Sequence, residues 1–426
     1  MSVCLLRWRQ YAPRIPIVLV LALVPVLAAR AGDAPLTLHG AVARAVRNAP
    51  SLIADTDRIQ AAQDDAVRAG RLPDPELQVG MQNLTVTGPE AFVPAADSMT
   101  MQTIGVMQQL PSRAARDAER AAAGANLTAA SARQVATAQD VRQAAAEAWV
   151  ALWAAQRKLE LLDELKGEAD TAVLASKARL AGGTGNAADA LATRAERTEL
   201  DNQIAAAQAG VVAASANLAR WLGAANERSL APPPDFSELP IPPAMLLERI
   251  DQQAPMLDWT ARESKADAAV DAARASKHPD WSVGVSYGRR FGGRDDMISL
   301  NFGVKLPIFP GNRQDRDISA RYAERDAVHA AHEDARRAQR AAVQGLLAEW
   351  RSLTTQAHRD RDELLPLAHD RAHVALAAYR GGASLQPWLE ARRAEIRTRI
   401  DYADALAAWG RDWAALAYLI PKETTP

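Results

Sequence analysis

The sequence predicts a mainly α protein with a small β part, its elements written twice in tandem. Three observations carry that reading. Hydrophobic residues make up 48% of the chain but aromatics only 5%, and alanine dominates the apolar set. That composition suits thin helix–helix seams better than one thick core. Segments of the first half return in the second at a slowly drifting offset of roughly 200 residues, as a duplication would leave them. Two stretches, near 76–110 and 281–306, alternate apolar with small or polar residues at the period of a strand.

The chain opens with Arg7, Arg9 and Arg14, then an apolar run from Ile15 to Ala29, then Ala29-Arg30-Ala31 before Gly32. A basic start, a short apolar stretch and small residues at −3 and −1 read as a signal peptide over 1–31. The run is short for a membrane helix and contains Pro16 and Pro25. Cleavage removes four of the 50 basic residues and none of the 51 acidic ones, taking the formal charge from −1 to −5. It also removes Cys4, the one cysteine, so no disulfide, cysteine-based metal site or N-terminal lipid anchor is expected. A near-neutral to mildly acidic chain argues against a general nucleic-acid binder.

The repeats are explicit. Asn48-Ala49-Pro50 returns as Gln253-Ala254-Pro255, and Pro75-Glu76-Leu77-Gln78-Val79-Gly80 as Pro279-Asp280-Trp281-Ser282-Val283-Gly284. Trp149 with Leu152 is answered by Trp350 with Leu353, and Leu180-Ala181-Gly182-Gly183 by Tyr379-Arg380-Gly381-Gly382. The expected organisation is a first repeat over 32–231, a Pro-rich linker over 232–243 where no helix can run, a second repeat over 244–421, and a tail over 422–426. Each repeat reads as a helix pair (about Thr37 to Gly70, about Ala244 to Lys277), two strands, a long helix, a Gly break and a second long helix.

The first long helix is expected from about Arg113 to Leu180 without interruption, roughly 100 Å at 1.5 Å per residue. Leu152, Leu159, Val173 and Leu180 keep a seven-residue register with Lys166 as its one break. Leu346, Leu353, Leu367 and Val374 repeat it, with Asp360 interrupting. A seven-residue period implies left-handed coiled coils. Pro366 should kink the second rod, with no counterpart expected in the first.

In 281–291 the apolar residues are Trp281, Val283, Val285, Tyr287 and Phe291; across a Gly292-Gly293 turn they are Ile298, Leu300, Phe302, Val304 and Leu306. The first repeat carries a weaker version at Glu76 to Val86 and Met99 to Leu110. Strands of about ten residues with one apolar face fit a transmembrane barrel, but four cannot close one, so several chains would have to share it. A soluble four-stranded sheet packed on the rods is the other reading. Met81, Met99, Met101 and Met107 share one parity and read as lipid-facing rather than as copper ligands.

The order helix pair, hairpin, long helix, Gly turn, long helix, written twice behind a leader, resembles the TolC-type outer-membrane efflux proteins over Leu36 to Pro421. Local marks of the resemblance are Leu36-Thr37-Leu38 with Ala41 and Ala45, Asn48-Ala49-Pro50, Leu110-Pro111 with Ala115 and Arg116, and Tyr379-Arg380-Gly381-Gly382. The compact length and short first helix pair are most like the heavy-metal cation efflux branch. That resemblance implies a homotrimer whose four strands per chain share one barrel in outer-membrane lipid. It also implies a coiled-coil tunnel in the periplasm, a periplasmic adaptor protein and an inner-membrane RND-type pump. Related members often carry a lipidated N-terminal cysteine, which this chain lacks.

Candidate sites follow. The Gly breaks must reverse each rod at the tunnel tip. By the resemblance, Arg179, Gly182, Gly183, Thr184, Gly185, Arg380, Gly381, Gly382 and Ser384 would dock the adaptor. Asp189, Asp370 and Arg371 are candidates for a tip gate, since three-fold symmetry turns each into a ring of charge; a solvated helix face is the plainer reading. His329 with His332 and His369 with His373 each share a helix face, yet two ligands without a third read as ordinary exposed histidines, and no metal or cofactor is expected. No catalytic motif occurs, so the chain reads as a non-enzyme. The function expected is a passive duct, for heavy-metal cations or else for organic drugs or secreted protein; a periplasmic coiled-coil scaffold is the reading from another class.

Overall fold

The computed structural model describes residues 35–223 and 229–421. The expected signal peptide, its cleavage site and the tail over 422–426 lie outside the described residues. Two helices, α1 (Leu38–Asn48) and α2 (Pro50–Arg68), precede a hairpin of β1 (Glu76–Gln82) and β2 (Met101–Leu110). The first rod follows as α3 (Arg113–Asp163) and α4 (Lys166–Ala181), and α5 (Ala187–Leu222) returns. The second half runs α6 (Pro243–Glu248), α7 (Trp259–Ala275), β3 (Asp280–Arg290), β4 (Met297–Lys305), α8 (Gln314–Arg359), α9 (Leu365–Arg380) and α10 (Gln386–Ala417).

Side-chain caps set several helix starts. Thr37 accepts from the Gly40 amide at 3.0 Å, Ser112 from Ala115 at 3.1 Å and Asn186 from Asp189 at 2.7 Å. The second helix pair is joined less directly than the first. Pro255 disfavours helix at Ala254, and the chain passes from the six-residue α6 through two 3₁₀ turns, Ile250–Gln252 and Ala254–Met256, before α7 begins.

The four strands form one antiparallel sheet in the order β1-β2-β3-β4, so β2 and β3 join the two halves. The register pairs Val106 with Val285 and Val285 with Leu300, and Ile104 with Tyr287 and Tyr287 with Ile298. Leu77 lies opposite Val106 and Val79 opposite Ile104, which completes one apolar face across all four strands. The expected methionine stripe does not survive this register. Met81 pairs with Gln102 on the apolar face, whereas Met101 and Met107 fall on the opposite one, with Gly288 and Gly284 close to them. Antiparallel pairing of Glu76 with Met107 reverses odd and even between β1 and β2, so shared parity in the chain does not mean a shared face. Met99 lies before β2.

The main core forms where the middles of the rods meet the linker. Trp149 and Trp350 are both buried and anchored alike: Trp149 Nε1 donates to the Leu36 carbonyl and Trp350 Nε1 to that of Phe236, each at 2.9 Å. Phe236 sits among Trp153, Trp409 and Trp413, with ring centroids 5.4–5.6 Å away in edge or tilted contact. The linker is thus stapled down by indoles rather than left as a loose spacer. Gly410 leaves room for this cluster, since a Cβ there would stand 2.5 Å from Val150 and 2.9 Å from Phe236. Gly410→Ala is therefore expected to cost about 1–3 kcal/mol through overpacking, read as a lowered melting temperature. A melting temperature at or above that of the unaltered protein would contradict this packing.

Both rods are interrupted at matching heights. The first was expected to be continuous, but α3 stops at Asp163 and α4 starts at Lys166, the residue that breaks the heptad register. In the second, the π turn Asp360–Leu364 separates α8 from α9. Pro366 has no N–H for the Asp362 carbonyl, which widens the preceding turn.

Candidate functional site

Two helix reversals lie side by side at one end of the rods. In the first, the amides of Thr184 and Gly185 both reach the Arg179 carbonyl, at 3.0 and 2.9 Å. Gly183 takes φ +71°, a left-handed value that an L side chain rarely adopts, and Gly382 takes +106° in the second reversal. Gly182 and Gly381 instead keep φ near −80° and simply end their helices. Gly185 is constrained by space, with a Cβ there falling 2.9 Å from that of Arg179.

Arg179 is not a free surface contact. Its guanidinium lies over the Tyr379 ring, 4.5 Å from the centroid. It donates to the Tyr379 carbonyl and reaches that of Ala383 at 3.4 Å, which binds the two reversals to each other. Tyr379 is fully buried beside Leu376, Leu385 and Trp388, and burial raises its phenol above the ordinary range. Gly182, Gly183, Thr184, Arg380, Gly381, Gly382 and Ser384 are exposed around this tie, and Gly185 is half-buried.

The three gate candidates do not converge within one chain. Asp189 is half-buried in the first turn of α5, beside the reversal. Asp370 and Arg371 are exposed on α9, about 15 Å further along the rod at 1.5 Å per residue.

Sequence reasoning missed the charged node that closes over the breaks. Arg392 on α10 is fully buried; it donates to the Leu165 carbonyl, to Glu168 at 2.7 Å and to fully buried Glu395 at 3.0 Å. Arg399 reaches the Leu161 carbonyl at 3.3 Å, Glu164 at 2.7 Å and Glu395 at 3.1 Å. The Leu165 amide bonds the Leu162 carbonyl instead of that of Leu161, so the freed Leu161 carbonyl finds its donor on α10, while that of Leu165 takes Arg392 beside its helical bond from Ala169. The only sequence trace of this was Lys166 out of register, because the partners lie more than 220 residues away.

At the other end, the apolar sheet face is bare. Val79 is 74% exposed, Ile298 72%, Leu300 67% and Phe302 72%, and both edge strands lack a partner among the described residues. The sheet is not packed on the rods by this face, so the soluble-sheet expectation fails there. In the lower rods Leu174, Leu191, Leu367 and Val374 are also exposed, each 67% or slightly less. No helix among the described residues is long and apolar enough to cross a membrane, and no group of three or more His, Cys, Asp or Glu side chains among them is arranged to hold a metal.

Residues 248–420 match the family model described as outer membrane efflux protein. The chain carries an outer membrane efflux domain. A relative from Cupriavidus metallidurans, named cobalt-zinc-cadmium resistance protein CzcC, is 24% identical over 311 residues, 71% of this chain and 70% of its own. Among solved structures, CusC, described as undergoing folding and transmembrane channel formation, superposes with a TM-score of 0.75 at 18% identity, covering 90% of this chain and 92% of its own. A membrane protein from Pseudomonas aeruginosa gives 0.75 at 20% identity, covering 90% and 89%. The efflux domain and these likenesses agree with a TolC-type fold of long helices and a four-stranded sheet.

Proposed function

We propose that the chain is the outer-membrane duct of a tripartite efflux system, passing heavy-metal cations outward without an energy source of its own. The observation that carries this reading is the four-stranded sheet with a bare apolar face and two unpaired edges. Such a face is stable in lipid, and such edges are tolerable there only when other strands pair with them. Three chains sharing one twelve-stranded barrel satisfy both demands. The exposed Leu174, Leu191, Leu367 and Val374 supply apolar faces for neighbouring copies in the tunnel.

The paired reversals form the periplasmic end, where an adaptor would dock and link the duct to an inner-membrane pump. Export relies on the leader over 1–31, and the processed chain has no cysteine to carry a lipid anchor. The cation assignment rests on the CzcC relative and is supported by the acidic balance of the processed chain.

Deletion of the gene is expected to sensitise cells to cobalt, zinc, cadmium or copper and not to dyes and antibiotics. The unaltered gene should restore growth, whereas Gly183→Val with Gly382→Val should not, since each forces a side chain into left-handed backbone at about 1–2 kcal/mol and distorts the docking end. Sensitivity to organic compounds alone would leave the duct and overturn the cation assignment. Release of the protein by carbonate washing would overturn the duct itself.

A further inference from the structure

We propose that His369 and His373 form an open binding site for a divalent transition-metal ion on α9, just below the break in the second rod. The two residues are four apart on one helix face, and their ring centroids are 6.3 Å apart with planes inclined by 33°. Two imidazoles on one metal, at a metal–nitrogen length of about 2.1 Å, place their ring centres at most about 6.5 Å apart. A tetrahedral ion draws the centres to about 5.3 Å, so the exposed His373 side chain swings inward by about 1 Å to bring both nitrogens onto one ion.

The sequence alone offered no group to prepare this pair; the structure supplies one from α10. Nδ1 of His369 lies 3.1 Å from Oε1 of the fully buried Glu395. That carboxylate already accepts from Arg392 at 3.0 Å and from Arg399 at 3.1 Å. A carboxylate held between two guanidiniums has only lone pairs to offer, so Nδ1 of His369 is the donor. In the neutral ring this leaves the lone pair on Nε2, on the side away from Glu395. A metal-binding histidine is commonly oriented by a carboxylate on its other nitrogen in this way.

The other histidine pair is tied differently, with both rings on one carboxylate oxygen. His329 and His332 both direct Nδ1 to the same oxygen of Glu263, at 3.0 and 2.7 Å, and His332 lies flat on Trp259 at 5.3 Å. Both Nδ1 atoms are taken up by one carboxylate oxygen, and the pair fastens α8 to α7. The hydrogen bond from His332, and then that from His329, hold the Glu263 carboxyl below its ordinary range.

With two protein ligands and water for the rest, the α9 site binds weakly and exchanges fast, which suits a cation in passage. Imidazole donors select zinc, copper, nickel or cobalt over magnesium or calcium. Binding itself is independent of the proposed duct; only its use in passage rests on that reading.

The test uses untagged full-length protein in detergent, titrated with Co²⁺ by visible absorption and with Zn²⁺ in competition. One Zn²⁺ per chain is expected. His369→Asn or His373→Asn should each weaken it about tenfold or more, and the double variant should abolish it with helicity unchanged. His329→Asn with His332→Asn should leave it intact. Equal Zn²⁺ binding by the unaltered protein and the α9 double variant, or loss caused by the α8 pair instead, would overturn the site. Either result leaves the duct standing, because the duct is judged by growth of the deletion strain.

Discussion

Arg392→Ala is expected to lower stability by about 3–5 kcal/mol, the range for removing one partner of a buried ion pair. The size follows from what the guanidinium does at once. It neutralises Glu395, fully buried beside it, bonds Glu168 at 2.7 Å, and gives the Leu165 carbonyl a second donor beside the Ala169 amide at 3.2 Å. Alanine leaves a buried carboxylate with less compensation. Replacing Arg392 and Glu395 together by methionine should recover part of the loss, since no unpaired buried charge then remains between them. Urea unfolding followed by helical signal measures both variants. An Arg392→Ala protein within about 1 kcal/mol of the original would show that the node is solvated and not structural.

The same node marks the limit of what the sequence makes legible. Period-two alternation from Trp281 to Tyr287 is a local signal, and the strands appear where it lies, within a residue or two. The glycines of the two reversals are likewise legible, because Gly183 and Gly382 are needed for backbone values that other residues avoid. Trp149 and Trp350 announce their equivalence by their place in the repeats, and each anchors the segment leading into its own half.

What escaped depends on contacts between distant residues. The break at Glu164–Leu165 contains neither proline nor glycine, and the Leu161 carbonyl it frees is bonded by Arg399, which the sequence places on another helix. Arg179 looked like a free polar contact at the tip, but Tyr379 and its neighbours, 200 residues on, take it inward. The methionines misled because a face is decided by strand register, not by chain parity. Glu395 turned one histidine pair into a prepared one for the same reason: 26 residues and a helix reversal separate it from His369.

Asp412→Asn is expected to stabilise the protein at neutral pH and to have little effect in acid. Asp412 lies buried on α10, and its Oδ2 has no hydrogen-bond partner. Burial first, then the Glu349 and Glu147 carboxylates facing it from α8 and α3, push its carboxyl up to about 6, against a smaller opposing pull from Arg411. The native state therefore holds a proton at pH 5 that the unfolded chain has released. Stability contributed by this group is present below about pH 4 and is lost as pH rises through about 6, amounting to roughly 2–3 kcal/mol. Asparagine keeps the shape without the charge, so its advantage should grow across that window and level off above pH 7. Glu349→Gln should produce a smaller gain in the same direction, because it removes one of the two facing charges. Unfolding free energies at intervals from pH 4 to pH 8 test both. A pH-independent difference between Asp412→Asn and the original would mean that the carboxylate is already compensated in the native state, and that α10 carries no charge conflict at this point.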